Sequence, residues 1–178
     1  MHNCLEIKYD VMAGNAAKIK DYTGKELLVV VKNNAYNMGL LEVVGCLMQV
    51  GVRHFCVAAV DEAETIKRNF PEAYVLATNP ANAEEIQSAQ KLYIALSIPG
   101  KGWLEANRKR LQGVELHLKF NVGMNRFGAR WVDEAREILG ICSAERLEVT
   151  GLSTHFPLAE EDDLTEHNRQ VDVFAGLY

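Results

Sequence analysis

Lys32 closes the apolar run Leu27-Leu28-Val29-Val30-Val31 and opens a polar stretch, Asn33-Asn34-Ala35-Tyr36-Asn37-Met38, that ends at Gly39. Five apolar residues delivering one amine to a polar loop is the pattern of a buried parallel strand with a lysine at its carboxyl end. In an α/β barrel that end is where reacting groups emerge, so the amine is placed to form a Schiff base with a carbonyl compound. Such chemistry needs a lysine that is neutral part of the time, which burial near other cations arranges. The competing reading is a solvated cap whose stem covers apolar surface.

Other groups share this character. Arg126 follows Gly123-Met124-Asn125 at the exit of a later expected strand, and a guanidinium there binds a carboxylate or a phenolic oxygen in forked geometry. Lys119 lies seven residues earlier, and the plain alternative for both is a surface ion pair of little energetic worth. Tyr36, four residues after Lys32, otherwise reads as a half-buried aromatic with its hydroxyl in water. His155 follows Ser153-Thr154 at a strand end, where a lone histidine is more commonly a satisfied structural residue. His54 and His117 read as residues that begin strands, at the opposite end, with a role in stability. Acids at Asp61, Glu62 and Glu64, and from Glu160 through Asp163, suit the first turns of helices and solvated surface better than a metal or a carboxylate pair.

The elements that must position these groups alternate. Apolar runs suited to strands recur at residues 27–32, 54–59, 73–77, 91–96, 114–120 and 149–155, with helical patterns between them. Leu40, Val43, Val44, Leu47 and Met48 share one helical face, and Val132, Ala135, Ile138 and Leu139 share another, with Gly51 and Gly140 expected to mark helix ends. Thr78-Asn79-Pro80 and Ser97-Ile98-Pro99-Gly100 carry turn chemistry after the third and fourth strands. Six strand-helix repeats predict a parallel sheet curling toward a (β/α)8 barrel, with a doubly wound open sheet as the competing arrangement. No linker separates domains, so the pattern predicts one globular unit.

With 178 residues, 48% of them hydrophobic, the chain can bury a sizeable core. A net charge of −5 from scattered acids, without a basic stripe, makes neither nucleic acid nor an anionic membrane a natural partner. The amino terminus has no basic or apolar leader pattern and no stretch approaches a membrane span, which predicts a cytoplasmic protein. Cys4, Cys46, Cys56 and Cys142 are dispersed and read as free thiols, Cys46 and Cys56 as small core fillers, with no metal set among them.

Several blocks together carry a resemblance. Val31-Lys32-Asn33-Asn34-Ala35-Tyr36 resembles the strand-one signature V-K-A-N-A-Y-G-H-G of the alanine racemase family. Glu6-Ile7 with Asn15, then Gly51-Val52-Arg53-His54-Phe55-Cys56-Val57-Ala58 and Glu62-Ala63, follow that family's order and spacing. His117-Leu118-Lys119-Phe120-Asn121-Val122-Gly123-Met124-Asn125-Arg126-Phe127-Gly128 is similar to its H-L-K-x-D-T-G-M-x-R-x-G block, and Gly151-Leu152-Ser153-Thr154-His155-Phe156 to its G-x-x-T-H-F block. The likeness spans nearly the whole chain. Asn37 and Met38 stand where the family usually has glycine and histidine, and Asn121 and Val122 where it has aspartate and threonine.

The resemblance implies the amino-terminal part of a TIM-type (β/α)8 barrel, about six β-α units, lacking the last strands and a carboxyl-terminal β domain. Residues 1–10 would supply a strand that pairs with that β domain, and residues 11–178 an incomplete barrel domain. It implies pyridoxal 5'-phosphate as cofactor, carried by Lys32, with Lys32 also the base on one face of the substrate's α-carbon. Tyr36 would touch the phosphate, Arg126 the ring hydroxyl and the substrate carboxylate, and His155 the cofactor ring. Lys119 is the position that some members carbamylate to orient the arginine. The implied activity is an isomerase interconverting L- and D-alanine, or another small amino acid, in a cytoplasmic homodimer that supplies D-alanine for the cell wall. The family's second base, a tyrosine from the neighbouring subunit's β domain, and its partner for the pyridine nitrogen have no counterpart here, so the chain alone is expected to be inactive. Two rival readings are a non-catalytic pyridoxal-phosphate carrier and a structural piece that assembles without cofactor.

Overall fold

The computed structural model describes residues 4–177. The chain divides into two compact units, Met1–Thr78 and Asn79–Tyr178. The sequence, lacking a linker, predicts a single unit. The division needs none because it falls in the Thr78-Asn79-Pro80 turn that follows a strand.

The first unit opens with α1 (Tyr9–Thr23), which stops where Gly24 turns left-handed at φ 61° and returns its N–H to Lys20 O at 2.9 Å. Then come β1 (Leu28–Val30), α2 (Lys32–Asn37), α3 (Leu40–Gln49), β2 (His54–Val57), α4 (Val60–Asn69) and β3 (Tyr74–Ala77). The strands run parallel, β1 beside β2 with Val29 opposite Phe55, and β2 beside β3 with Phe55 opposite Val75. Helix α3 buries Leu40, Val43, Val44 and Leu47, the expected stripe, and α4 buries Val60, Ala63 and Ile66. Phe55, Val57, Val75 and Ala77 are fully enclosed, as in parallel strands covered on both faces. β1 differs from the buried strand expected of it. Leu28 and Val30 are 41% and 44% exposed, because β1 pairs with β2 alone among the described residues of this unit and one of its faces is uncovered.

The second unit contains α5 (Ala83–Leu92), β4 (Ala95–Ile98), α6 (Lys101–Asn107), β5 (Glu115–Lys119), α7 (Val132–Ala144), β6 (Glu148–Ser153) and α8 (Thr165–Ala175). Its strands are also parallel, with Leu96 opposite Leu116 and, beyond a register shift at Leu116/His117, Lys119 opposite Ser153. α5 starts on a capping box, in which Asn82 Oδ1 accepts from the Glu84 and Glu85 N–H groups and the Glu85 carboxylate accepts from the Asn82 N–H.

Several expectations shift here. The fourth strand, expected over residues 91–96, occupies Ala95–Ile98, since α5 continues through Leu92 to bury Ile86 and Ala89, and Tyr93 ends it in left-handed conformation. Gly140 lies inside α7 and marks no end. His117 sits at the middle of β5 and not at its start. The strand expected over residues 1–10 falls partly outside the described residues; of the rest, residues 4–8 belong to no strand, and Tyr9 and Asp10 already lie in α1.

Candidate active site

In the first unit the ladder ends where the Val31 N–H donates to Cys56 O at 2.8 Å, and the next residue is Lys32. The polar stretch beyond it is not a loose loop. Asn33, Asn34, Ala35 and Tyr36 all have φ between 51° and 56°, and Asn37 has φ 65°, which makes α2 a turn of left-handed helix. An L-residue in that region costs roughly 1–2 kcal/mol, so five in succession require compensation. Part is intrinsic, because three of the five are asparagine, the side chain that best tolerates this conformation. The remainder comes from hydrogen bonds. Ala35 N–H donates to Val31 O at 2.9 Å, Gly39 N–H to Asn34 O at 3.1 Å, and the Tyr9 hydroxyl to Met38 O at 2.7 Å. Asn34 Oδ1 accepts from Leu40 N–H at 2.8 Å and so serves the first turn of α3. Glu62, at the start of α4, accepts from the Asn33 and Asn34 N–H groups. Ala35 is buried at 1% exposure, and its small side chain fits beneath the turn.

This turn aims Lys32 and Tyr36. Lys32 is half-buried, and its Nζ makes no hydrogen bond or ion pair with any described residue. Tyr36 is 53% exposed, with its hydroxyl likewise open. A solvated cap would not need a strained turn behind it. An amine held at a strand exit without a counter-charge suits a reaction with a carbonyl group better.

In the second unit, Lys119 is the last residue of β5 and is half-buried. The chain then loops out and returns through Asn121 N–H to Ala129 O and Ala129 N–H to Lys119 O, both 2.8 Å, and Gly128 N–H donates to Pro99 O at 2.8 Å. Gly128 has φ 109°, and a Cβ there would lie 2.8 Å from Lys119 O, so only glycine lets the returning strand approach this closely. Asn121 Oδ1 accepts from the Gly123 and Asn125 N–H groups at 3.0 Å, and its Nδ2 donates to Asn125 Oδ1 at 3.1 Å. Asparagine therefore closes the turn at this position, where the resemblance leads one to expect aspartate. Arg126 projects from the loop, exposed, its guanidinium 5.9 Å from the Phe127 ring and without an ion pair among the described residues. The surface-ion-pair reading of Arg126 thus finds no partner. Arg126, Asn121 and Asn125 line a groove of about 440 Å³ with Lys101, Arg130 and Glu134.

His155 lies two residues past β6, exposed. Its strand end is fixed to that of β5 by Phe120 N–H donating to Ser153 O and the Thr154 hydroxyl donating to Phe120 O, both at 2.8 Å. Phe156 beside it meets His167 and Phe174 edge-on, at ring separations of 5.5 and 6.0 Å. The expected residues fall on two stretches: Lys32 and Tyr36 on the left-handed turn of the first unit, and in the second Lys119 at the end of β5, Arg126 in the loop that follows and His155 just past β6.

Three supporting residues were not singled out for these roles by the sequence. Glu62 and Asn34 hold the left-handed turn. Gln170 of α8 is 2% exposed and lies under the Arg126 loop, its Nε2 only 2.8 Å from where a Cβ on Gly123 would stand. The local signals that existed were the three asparagines and the placement of Glu62 at the third position of a helix. Of the other titratable groups, burial pushes the His117 imidazole below its ordinary value, with Glu115 opposing. The same cause pushes the Cys46 and Cys142 thiols up; Cys56 and Cys142 are buried, whereas Cys46, expected as a core filler, is half-buried because its side chain lies beside the buried stripe of α3 and not within it. Among the described residues no cluster of histidine, cysteine or acid is arranged to hold a metal, and no helix is long and apolar enough to cross a membrane. Asp61 and Glu62 open α4 as expected, and at the start of α8 the Thr165 side chain, with its N–H, holds the Asp163 carboxyl below its ordinary value.

Parallel β-α repeats with an open lysine after the first strand and a loop-borne arginine after the fifth are the arrangement that α/β barrel proteins use to present side chains at strand ends. The chain belongs to the alanine racemase N-terminal domain family, which matches residues 7–178. An alanine racemase of Listeria monocytogenes is 34% identical over 154 residues, covering 85% of this chain and 42% of that protein. The crystal structure of alanine racemase from Bacillus anthracis with bound L-Ala-P matches with a TM-score of 0.86 at 29% identity, over 94% of this chain and 45% of that one. Alanine racemase from E. faecalis shares the fold at a TM-score of 0.89 and 24% identity, over 96% of this chain and 48% of that one. The barrel expected from the sequence is thus the fold, and the chain spans about half the length of the relatives it matches.

Proposed function

We propose that this chain is the cofactor-carrying half of a pyridoxal-phosphate-dependent racemase that interconverts L- and D-alanine. The observation that carries the proposal is Lys32: an amine without a counter-charge, at the exit of the first strand, at the head of a left-handed turn, in a chain of this family. The donor set fits such a cofactor. One amine suits its aldehyde, a phenol on the same turn suits its phosphate, and a guanidinium suits a phenolic oxygen or a carboxylate.

When bound, the cofactor supplies an electron sink that makes the substrate's α-proton removable. With the cofactor bound, Lys32 Nζ would hold its aldehyde carbon and, as a free amine, would take or return the substrate's α-proton on one face. Tyr36 donates its hydroxyl to the phosphate. Arg126 fixes the ring oxygen and the substrate carboxylate, and Lys119 steadies the arginine loop from the end of β5, by carbamylation if its amine is so modified. His155 packs against the ring. The uncovered face of β1, and residues 4–8, which belong to no element, suit closure by further strands and a β domain of a longer chain, which also furnish the second base in a cytoplasmic homodimer.

The test is to incubate the chain with pyridoxal phosphate, reduce with borohydride and map the adduct by peptide mass, with Lys32→Ala as control. Label confined to Lys32 is the expected result. Label spread over many lysines, or none, would refute a shaped cofactor site.

A further inference from the structure

A lysine and a tyrosine four residues apart can face one ligand only if the backbone between them is held in one conformation, and here that conformation is disfavoured. The first two N–H groups of the left-handed turn, those of Asn33 and Asn34, have no partner within it, as at any helix start. Both donate to Glu62 Oε1, at 2.5 and 3.4 Å. The other carboxylate oxygen, Oε2, accepts from the Ala58 and Ala59 N–H groups at 3.1 and 3.4 Å. Ala59, the residue that precedes α4, has no polar side chain of its own, so Glu62 reaches back to serve that helix as well. One carboxylate thus satisfies the open ends of two helical turns whose residues lie 28 and 29 positions apart in sequence.

We propose that Glu62 is a positioning residue: its carboxylate clamps the left-handed turn to the start of α4 and thereby sets the direction in which Lys32 and Tyr36 meet a phosphorylated carbonyl ligand. This rests on the cofactor reading above. The requirement is specific to a carboxylate, since all four groups that face it are donors. The amide of glutamine, in either orientation, turns its own NH2 toward two of them. Aspartate keeps the charge near α4 but is one methylene too short to span both pairs. An acid serving only the helix dipole would tolerate either change.

The experiment compares the unsubstituted chain with Glu62→Gln and Glu62→Asp, and with Glu64→Gln as a charge control on the same helix. Two readouts are taken: amide exchange at Asn33, Asn34, Val44 and Leu47 by NMR, and the ratio of label at Lys32 from pyridoxal phosphate to that from pyridoxal after borohydride reduction. In both Glu62 variants, exchange at Asn33 and Asn34 is expected to accelerate about tenfold or more while Val44 and Leu47 stay protected, and the ratio should fall toward one. Glu64→Gln should change neither. Unchanged exchange at Asn33 and Asn34 overturns the clamp, and so does acceleration at all four amides, which marks general loosening of the fold. Faster exchange confined to the turn, with an unchanged ratio, overturns the directing role. Absence of label at Lys32 in the unsubstituted chain overturns the cofactor reading and the directing role with it, while the exchange data still decide the clamp.

Discussion

Replacing Asn34 separates the two ways in which the left-handed turn is stabilised. Its Oδ1 accepts from Leu40 N–H at 2.8 Å, and its backbone sits at φ 53° and ψ 46°. Alanine removes the hydrogen bond, worth about 1 kcal/mol, and puts a less tolerant residue in the left-handed region, for about 1 kcal/mol more. Glycine also removes the bond but relaxes the backbone, so it should cost about 1 kcal/mol in all. Aspartate keeps both the acceptor and the tolerance and should stay close to the parent. For a chain of this size each kcal/mol moves Tm by about 2–4 °C, so alanine should lower it by about 4–8 °C and glycine by about half as much. Thermal unfolding followed by circular dichroism measures the series. Alanine and glycine giving the same Tm would refute the claim that left-handed strain is stored at this position, and alanine equal to the parent would refute both terms.

Burial holds the His117 imidazole below its ordinary pKa, so the folded state disfavours protonation that the unfolded chain accepts. Its contribution to stability should be complete above about pH 6.5 and diminish as the pH falls below it, and His117→Gln should flatten that slope; urea unfolding across this range with an unchanged slope would refute the assignment. Gly128→Ala places a Cβ 2.8 Å from Lys119 O at φ 109° and should destabilise by about 2–4 kcal/mol, with a loss under about 0.5 kcal/mol in urea unfolding counting against the close approach.

The sequence by itself determined the repeating strands and helices, because apolar periodicity is a local signal and each run carries its own burial pattern. It also singled out Lys32, Tyr36, Arg126 and His155 as candidates, since they stand in short blocks whose order along the chain is specific. Tertiary structure decided what those residues can do. The polar stretch after Lys32 reads as an ordinary loop. It becomes a left-handed turn because Glu62, from the start of another helix, takes up the N–H groups that such a turn leaves open. The start of β4 was displaced because burial of Ile86 and Ala89 carried α5 past its expected end. Gln170 reaches the Arg126 loop from α8, 47 positions after Gly123, through a gap that only a glycine leaves. For the left-handed turn and the Arg126 loop, the deciding contact joins residues far apart in sequence. Propensity and spacing describe a segment against its own neighbours, whereas a carboxylate between two helical turns, or an amide beneath a glycine, exists only once the chain has brought distant segments together.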